Sequence, residues 1–155
     1  MSSLYESYNY DVSYRAIVNS NNVVKVFTER DCIEVNSQIS FDIEDSSKTS
    51  FNYFTSSIIS GIIHNLIFVS KKSNIKLEDI EGKIKIKLKN PLTVLAVNGY
   101  TEEAKIDSCD IIVYLFSDLE DDELVDFCKK SLNSCFIYNT LKDIMDINIK
   151  FIPIL

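Results

Sequence analysis

Tryptophan is missing from this chain, histidine occurs once, and 155 residues contain only three glycines and two prolines. Neither a phosphate loop nor a dinucleotide fingerprint is present, and both need glycine where the backbone approaches a phosphate. Four cysteines, Cys32, Cys109, Cys128 and Cys135, include no C-x-x-C pair, which removes a zinc knuckle and a thioredoxin-like dithiol. No EF-hand loop and no G-x-S-x-G nucleophile elbow occur either. Neither a metal nor a cofactor is therefore expected. Cationic residues are also in deficit, 16 against 23 acids, for a net charge of −7. That balance argues against nucleic acid and against an anionic membrane surface as partners. The opening Ser-Ser-Leu-Tyr-Glu run after Met1 lacks a basic-then-apolar leader, so the free cysteines point to a reducing, cytoplasmic setting.

The longest apolar run is SFNYFTSSIISGIIHNLIFVSKKS, Ser50 to Ser73. Acids and hydroxyls (Asp45, Ser46, Ser47, Thr49) precede it; Lys71, Lys72 and Asn74 close it, as the helix dipole favours. Apolar residues surround nearly the whole helix from Phe54 to Val69, so protein is expected on every side. Its uncharged core is short for a membrane span and holds Ser, Asn and His. Ser56 and Ser60 are four apart, as are Ser57 and Gly61, which gives a flat strip suited to a second copy of the same helix.

Before this helix, alternation predicts strands over Val12–Val18, Val23–Thr28, Cys32–Val35 and Gln38–Ile43, with a turn at Asn19–Asn22. Residues 1–11 read as a tail or edge strand. After the helix, 74–81 reads as a connector. Lys83 to Lys89 alternates strictly, Ile84, Ile86 and Leu88 against four lysines, and is a half-buried strand with a solvated lysine face. Leu92–Val97 reads as another strand, Asn98-Gly99 as a turn, and Ile106–Phe116, apolar on both sides, as a central strand. Ser117 to Glu120 has the form of a capping box ahead of a helix whose start is loaded with acids. A short helix over Cys135–Met145 and a strand over Ile147–Ile152 complete the chain. The order implies a single α+β domain, residues 1–155, with antiparallel sheets around a long buried central helix.

Two of these strings, SFNYFTSSIISGIIHNLIF and LEDDELVDFCKKSLNSCFIYNTL, resemble the OsmC/Ohr family of osmotically induced and organic-hydroperoxide-resistance proteins, across residues 12–153. The resemblance implies an intertwined homodimer and, in the peroxidatic members, peroxide reduction by two cysteines. It puts the resolving cysteine on Cys135, with Phe136 in place of the usual proline. It puts the peroxidatic cysteine on Gly61, which has no nucleophile, and the central helix holds no cysteine at all. The family's acidic helix residue falls near Phe51, and its arginine in the Asn19–Asn22 turn, which has none.

Three readings stay open. One is a divergent homodimer whose former active-site cleft, with Ser57, Ser60, Gly61, His64 and Tyr138, takes a small apolar ligand. Another is a one-cysteine thiol peroxidase working through Cys135. The last is a structural dimer. Cys135 and His64 also have plainer roles, as a small core hydrophobe and a hydrogen-bonded helix residue.

Overall fold

The computed structural model describes residues 10–42, 44–45 and 48–155. They fall into two compact units, one ending at Phe54 and the other running from Thr55 to Leu155.

In the first unit, β1 (Arg15–Val18), β2 (Val24–Phe27) and β3 (Cys32–Val35) form an antiparallel meander. Asn19 builds the first turn: its side-chain oxygen accepts the amides of Asn21 and Val23 at 2.9 and 3.1 Å, while Asn22 takes a left-handed backbone. β1 is shorter than the alternation predicts, and Tyr10 and Asp11 lie in no strand; residues 1–9 fall outside the described residues. No strand forms from Gln38 to Asp42, a correction to the meander expected there, and Ile43 lies outside the described residues. The carbonyls of Ser37 and Gln38 accept the amides of Ser50 and Phe51 at 3.0 and 2.9 Å, so the helix start consumes the acceptors a fourth strand needs.

Helix α1 spans Ser50–Lys72. Thr49 caps it, its hydroxyl accepting the Asn52 amide at 3.0 Å. At the other end Asn74 turns left-handed, and the Ile75 amide returns to the Ser70 carbonyl at 2.9 Å. By length and composition α1 is apolar enough to cross a membrane. In the fold, the Ile58, Ile62, Leu66 and Ser70 face, one residue per turn, is buried in the core. The opposite stripe, Ser56, Ser60, His64 and Phe68, is exposed.

The second unit is built on a mixed sheet, β4 (Leu77–Lys89), β5 (Lys105–Ser117) and β6 (Asp146–Pro153), in that order. β4 starts inside the segment read as a connector. Asp79 adopts a left-handed backbone in a bulge between Glu78 and Glu81, which shifts the register by one residue between the Glu78–Phe116 and Glu81–Tyr114 pairs. β5 is central, and its Cys109, Ile111, Val113 and Leu115 face is fully buried. β6 joins β5 in parallel, not antiparallel as expected, because the helical crossover between them returns the chain in the same direction.

Leu92–Val97 is not a strand. Pro91 opens a short helix, α2 (Pro91–Val94), behind a left-handed Asn90. The predicted capping box does not form. Ser117 is still paired within β5, its hydroxyl accepting the Leu119 amide at 3.3 Å. Helix α3 (Asp121–Ser131) begins after Glu120 without a side-chain cap. A 3₁₀ turn (Leu132–Ser134) and α4 (Phe136–Leu141) follow.

At Gly82 the backbone of β4 passes under α1. A side chain there would start 2.7 Å from Ile59 Cδ1 and 2.8 Å from Ile63 Cδ1.

Candidate functional site

The turn carrying Cys135 is tied down by amides. Asn139 Nδ2 donates to the carbonyls of Leu132 and Asn133 at 3.0 and 2.9 Å, folding α4 back on the 3₁₀ turn before it. The Cys135 amide donates to Leu132 O at 3.0 Å and its carbonyl accepts the Asn139 amide at 3.0 Å. Cys135 thus starts α4 with extended backbone and is 3% exposed, within the core that also holds Ile58, Ile62 and Leu132. Phe136, next to it, is 91% exposed.

Asn65 secures this turn to α1. Its Nδ2 donates to the Ser131 carbonyl at 2.7 Å, and Ser134 Oγ donates to its Oδ1 at 2.8 Å. The sequence reading missed Asn65. Its only signal is an amide inside an apolar helix, which folding must satisfy.

Two residues past Cys135, Ile137 faces Gly61. A Cβ built on Gly61 lies 3.2 Å from Ile137 Cδ1, with Cγ1 and Cβ of the same side chain at 3.8 and 3.9 Å. The fold therefore brings Gly61 against the first turn of α4, the two places the resemblance assigns to the cysteine pair. It fills the space beside the glycine with an isoleucine, so the glycine opens no cavity there.

The remaining candidates are distributed differently. Ser60 and His64 sit on the exposed stripe of α1, Ser57 is half-buried one turn before Gly61, and Tyr138 is half-buried with Lys142 Nζ 6.0 Å from its ring centre. An open groove of about 300 Å³ lies further along α1, lined by Val69, Ser73, Phe127, Lys130, Ser131, Asn133 and Ser134, and includes none of them. Among the described residues no three His, Cys, Asp or Glu side chains gather into a metal cluster.

All four cysteines are free thiols. Burial pushes Cys128 up to about 12 and, with Asp110 adding repulsion, Cys109 up to about 11, both away from thiolate chemistry. Cys32 is exposed.

These features define a helix-and-mixed-sheet scaffold with a thiol-bearing turn set against a long central helix. The model of the OsmC-like protein family matches residues 43–150, and the chain belongs to that family. An OsmC-like protein from Mycoplasma pneumoniae superposes with a TM-score of 0.74 at 11% identity, covering 95% of this chain and 99% of that one. An organic hydroperoxide resistance protein from Elizabethkingia anophelis gives 0.67 at 14%, over 99% and 100%. One from Legionella pneumophila gives 0.63 at 14%, over 92% and 97%. At these identities the likeness establishes the fold. No curated protein sequence matches.

Proposed function

We propose that this chain is a cytoplasmic homodimer of the OsmC fold that does not carry out two-cysteine peroxide reduction and retains the region around Gly61, His64 and Cys135 as a site for a small apolar ligand. One observation carries the loss of chemistry. Where the resemblance puts the attacking thiolate, α1 has Gly61, and a side chain there would start 3.2 Å from Ile137 Cδ1. A thiolate is the group that attacks a peroxide oxygen at useful rates, and the helix supplies none.

The dimer is supported by what a single chain leaves uncovered. Phe68 is 63% exposed on the outward stripe of α1, beside His64 and Ser60, and Phe136 is almost bare. Burying each phenylalanine gains about 1.5–3 kcal/mol, and the small residues of the stripe let a second helix come close. The ligand class follows from the same surface, apolar with a few hydroxyls, and from neighbours that are organic hydroperoxide resistance proteins.

Reduced protein mixed with cumene hydroperoxide tests the chemistry. The expected result is no turnover, with Cys135 oxidising no faster than Cys109. Sustained consumption with a reducible mass change on Cys135 would make the one-cysteine peroxidase the correct reading. Light scattering on the eluting protein tests the dimer, and a stable monomer would end that part of the proposal. Native mass spectrometry of freshly purified protein tests the ligand site through any small apolar molecule carried along.

A further inference from the structure

The link between β4 and β5 contains the one Asn-Gly pair in the chain, Asn98-Gly99. Val97 to Tyr100 form a turn closed by the Tyr100 amide donating to the Val97 carbonyl at 3.2 Å. Gly99 has φ +88° while Asn98 stays at negative φ, which makes the turn type II. The closing bond leaves the central peptide of the turn alone. Among the described residues the Gly99 amide donates to no acceptor, the Asn98 side chain has no partner, and both residues are exposed. Nothing lies within 4 Å of where a Gly99 side chain would stand. The peptide between them is free to flip, since glycine accepts either orientation.

Two asparagines that precede serine are held. The Asn19 side-chain oxygen is occupied by the amides of Asn21 and Val23, and the Asn133 carbonyl, inside the 3₁₀ turn, is held by Asn139. Both are followed by the small residue serine.

We propose that Asn98-Gly99 is a site of spontaneous intramolecular deamidation. The Gly99 backbone nitrogen attacks Asn98 Cγ, forming an N–Cγ bond. The Cγ–Nδ2 bond breaks, and Nδ2 leaves as ammonia with the proton given up by the Gly99 amide. The succinimide then takes up one water at either carbonyl and opens to aspartate or isoaspartate. The product adds a carboxylate to the link that also carries Glu102 and Glu103 and gives the chain an acidic form. Where isoaspartate is the product, it is a substrate for carboxyl-methylating repair.

The test is peptide mapping of the folded protein incubated at mildly alkaline pH, with Asn19-Ser20 and Asn133-Ser134 as internal controls. Asn98 is expected to convert on the order of tenfold faster than either, because no side chain blocks the attack at Gly99. Asn98→Gln is expected to abolish the acidic form and leave the denaturation curve in place. Conversion of Asn98 no faster than the controls, or conversion seen only after urea unfolds the chain, overturns the proposal.

Discussion

Ile137 Cδ1 stands 3.2 Å from the point where a side chain on Gly61 would begin. This contact joins α1 to α4, and it limits position 61 to a small side chain besides leaving it without a nucleophile. Gly61→Ala gains about 0.5–1 kcal/mol of helix propensity and loses a comparable amount to crowding, so stability is expected to change little. Gly61→Leu overpacks the contact and is expected to cost about 1–3 kcal/mol. Adding Ile137→Ala should recover part of that cost. Urea titrations of the two single variants and the double variant measure the coupling; strictly additive losses would mean the two side chains do not meet.

Gly82 poses the same problem against harder limits, since two isoleucine methyls lie within 2.8 Å of the missing Cβ. Both are ends of side chains, so a methyl is accommodated by small shifts, and Gly82→Ala is expected to cost about 1 kcal/mol. Gly82→Val should cost about 2–3 kcal/mol through overpacking. Shortening the partners with Ile59→Val and Ile63→Val removes the two atoms in the way. A thermal scan should then show Tm partly recovered for the Gly82→Val chain.

Period and end signals made much of this fold legible in the sequence. The lysine-faced strand, the two-sided apolar β5 and both ends of α1 follow from alternation, burial and caps. What failed was decided by hydrogen bonds formed far along the chain. Leu92–Val97 has strand-like composition, yet Asn90 and Pro91 start a helix, and Thr93 Oγ1 and Asn90 Nδ2 fix it to the carbonyls of Glu102 and Glu103 at 2.7 and 2.8 Å. Acid-rich 77–81 reads as a loop but is paired by β5. The direction of β6 leaves no trace in a period-2 pattern. At the site, position 61 was legible, while the occupant of its space was not, because Ile137 lies 76 residues away in the sequence and belongs to an element of only six residues.

Asn65 gives a prediction with a different readout. Its amide donates to the Ser131 carbonyl and its oxygen accepts from Ser134, so Asn65→Leu removes both side-chain tethers of α1 to this turn and leaves the Ser131 carbonyl with the Ser134 hydroxyl at 3.1 Å. The expected loss is about 1–3 kcal/mol. Ser134→Ala should cost less, about 0.5–1.5 kcal/mol, because Asn65 still reaches Ser131. Hydrogen exchange should show faster opening of the 3₁₀ turn and of the start of α4 in Asn65→Leu. Unchanged protection there would show that the network does not hold the turn.

Thiol reactivity and alkaline stability share one cause. Cys128 and Cys109 are neutral in the fold because burial raises them to about 12 and about 11, from an ordinary value of 9.0. An alkylating reagent at neutral pH should therefore modify exposed Cys32 first and leave Cys109 and Cys128 intact until the chain unfolds. The same shifts set a pH dependence. Below the unfolded value of 9.0 both thiols are protonated in either state, and the fold keeps its full stability from them. As pH rises above that value the unfolded chain releases these protons while the folded chain retains them, so stability falls with increasing pH until the folded thiols ionise too. Cys128→Ala should flatten the alkaline limb of a stability-against-pH curve while lowering stability at neutral pH through the small cavity it leaves. An alkaline limb of the same slope in Cys109→Ala and Cys128→Ala as in the parent would place the loss in groups other than these two thiols.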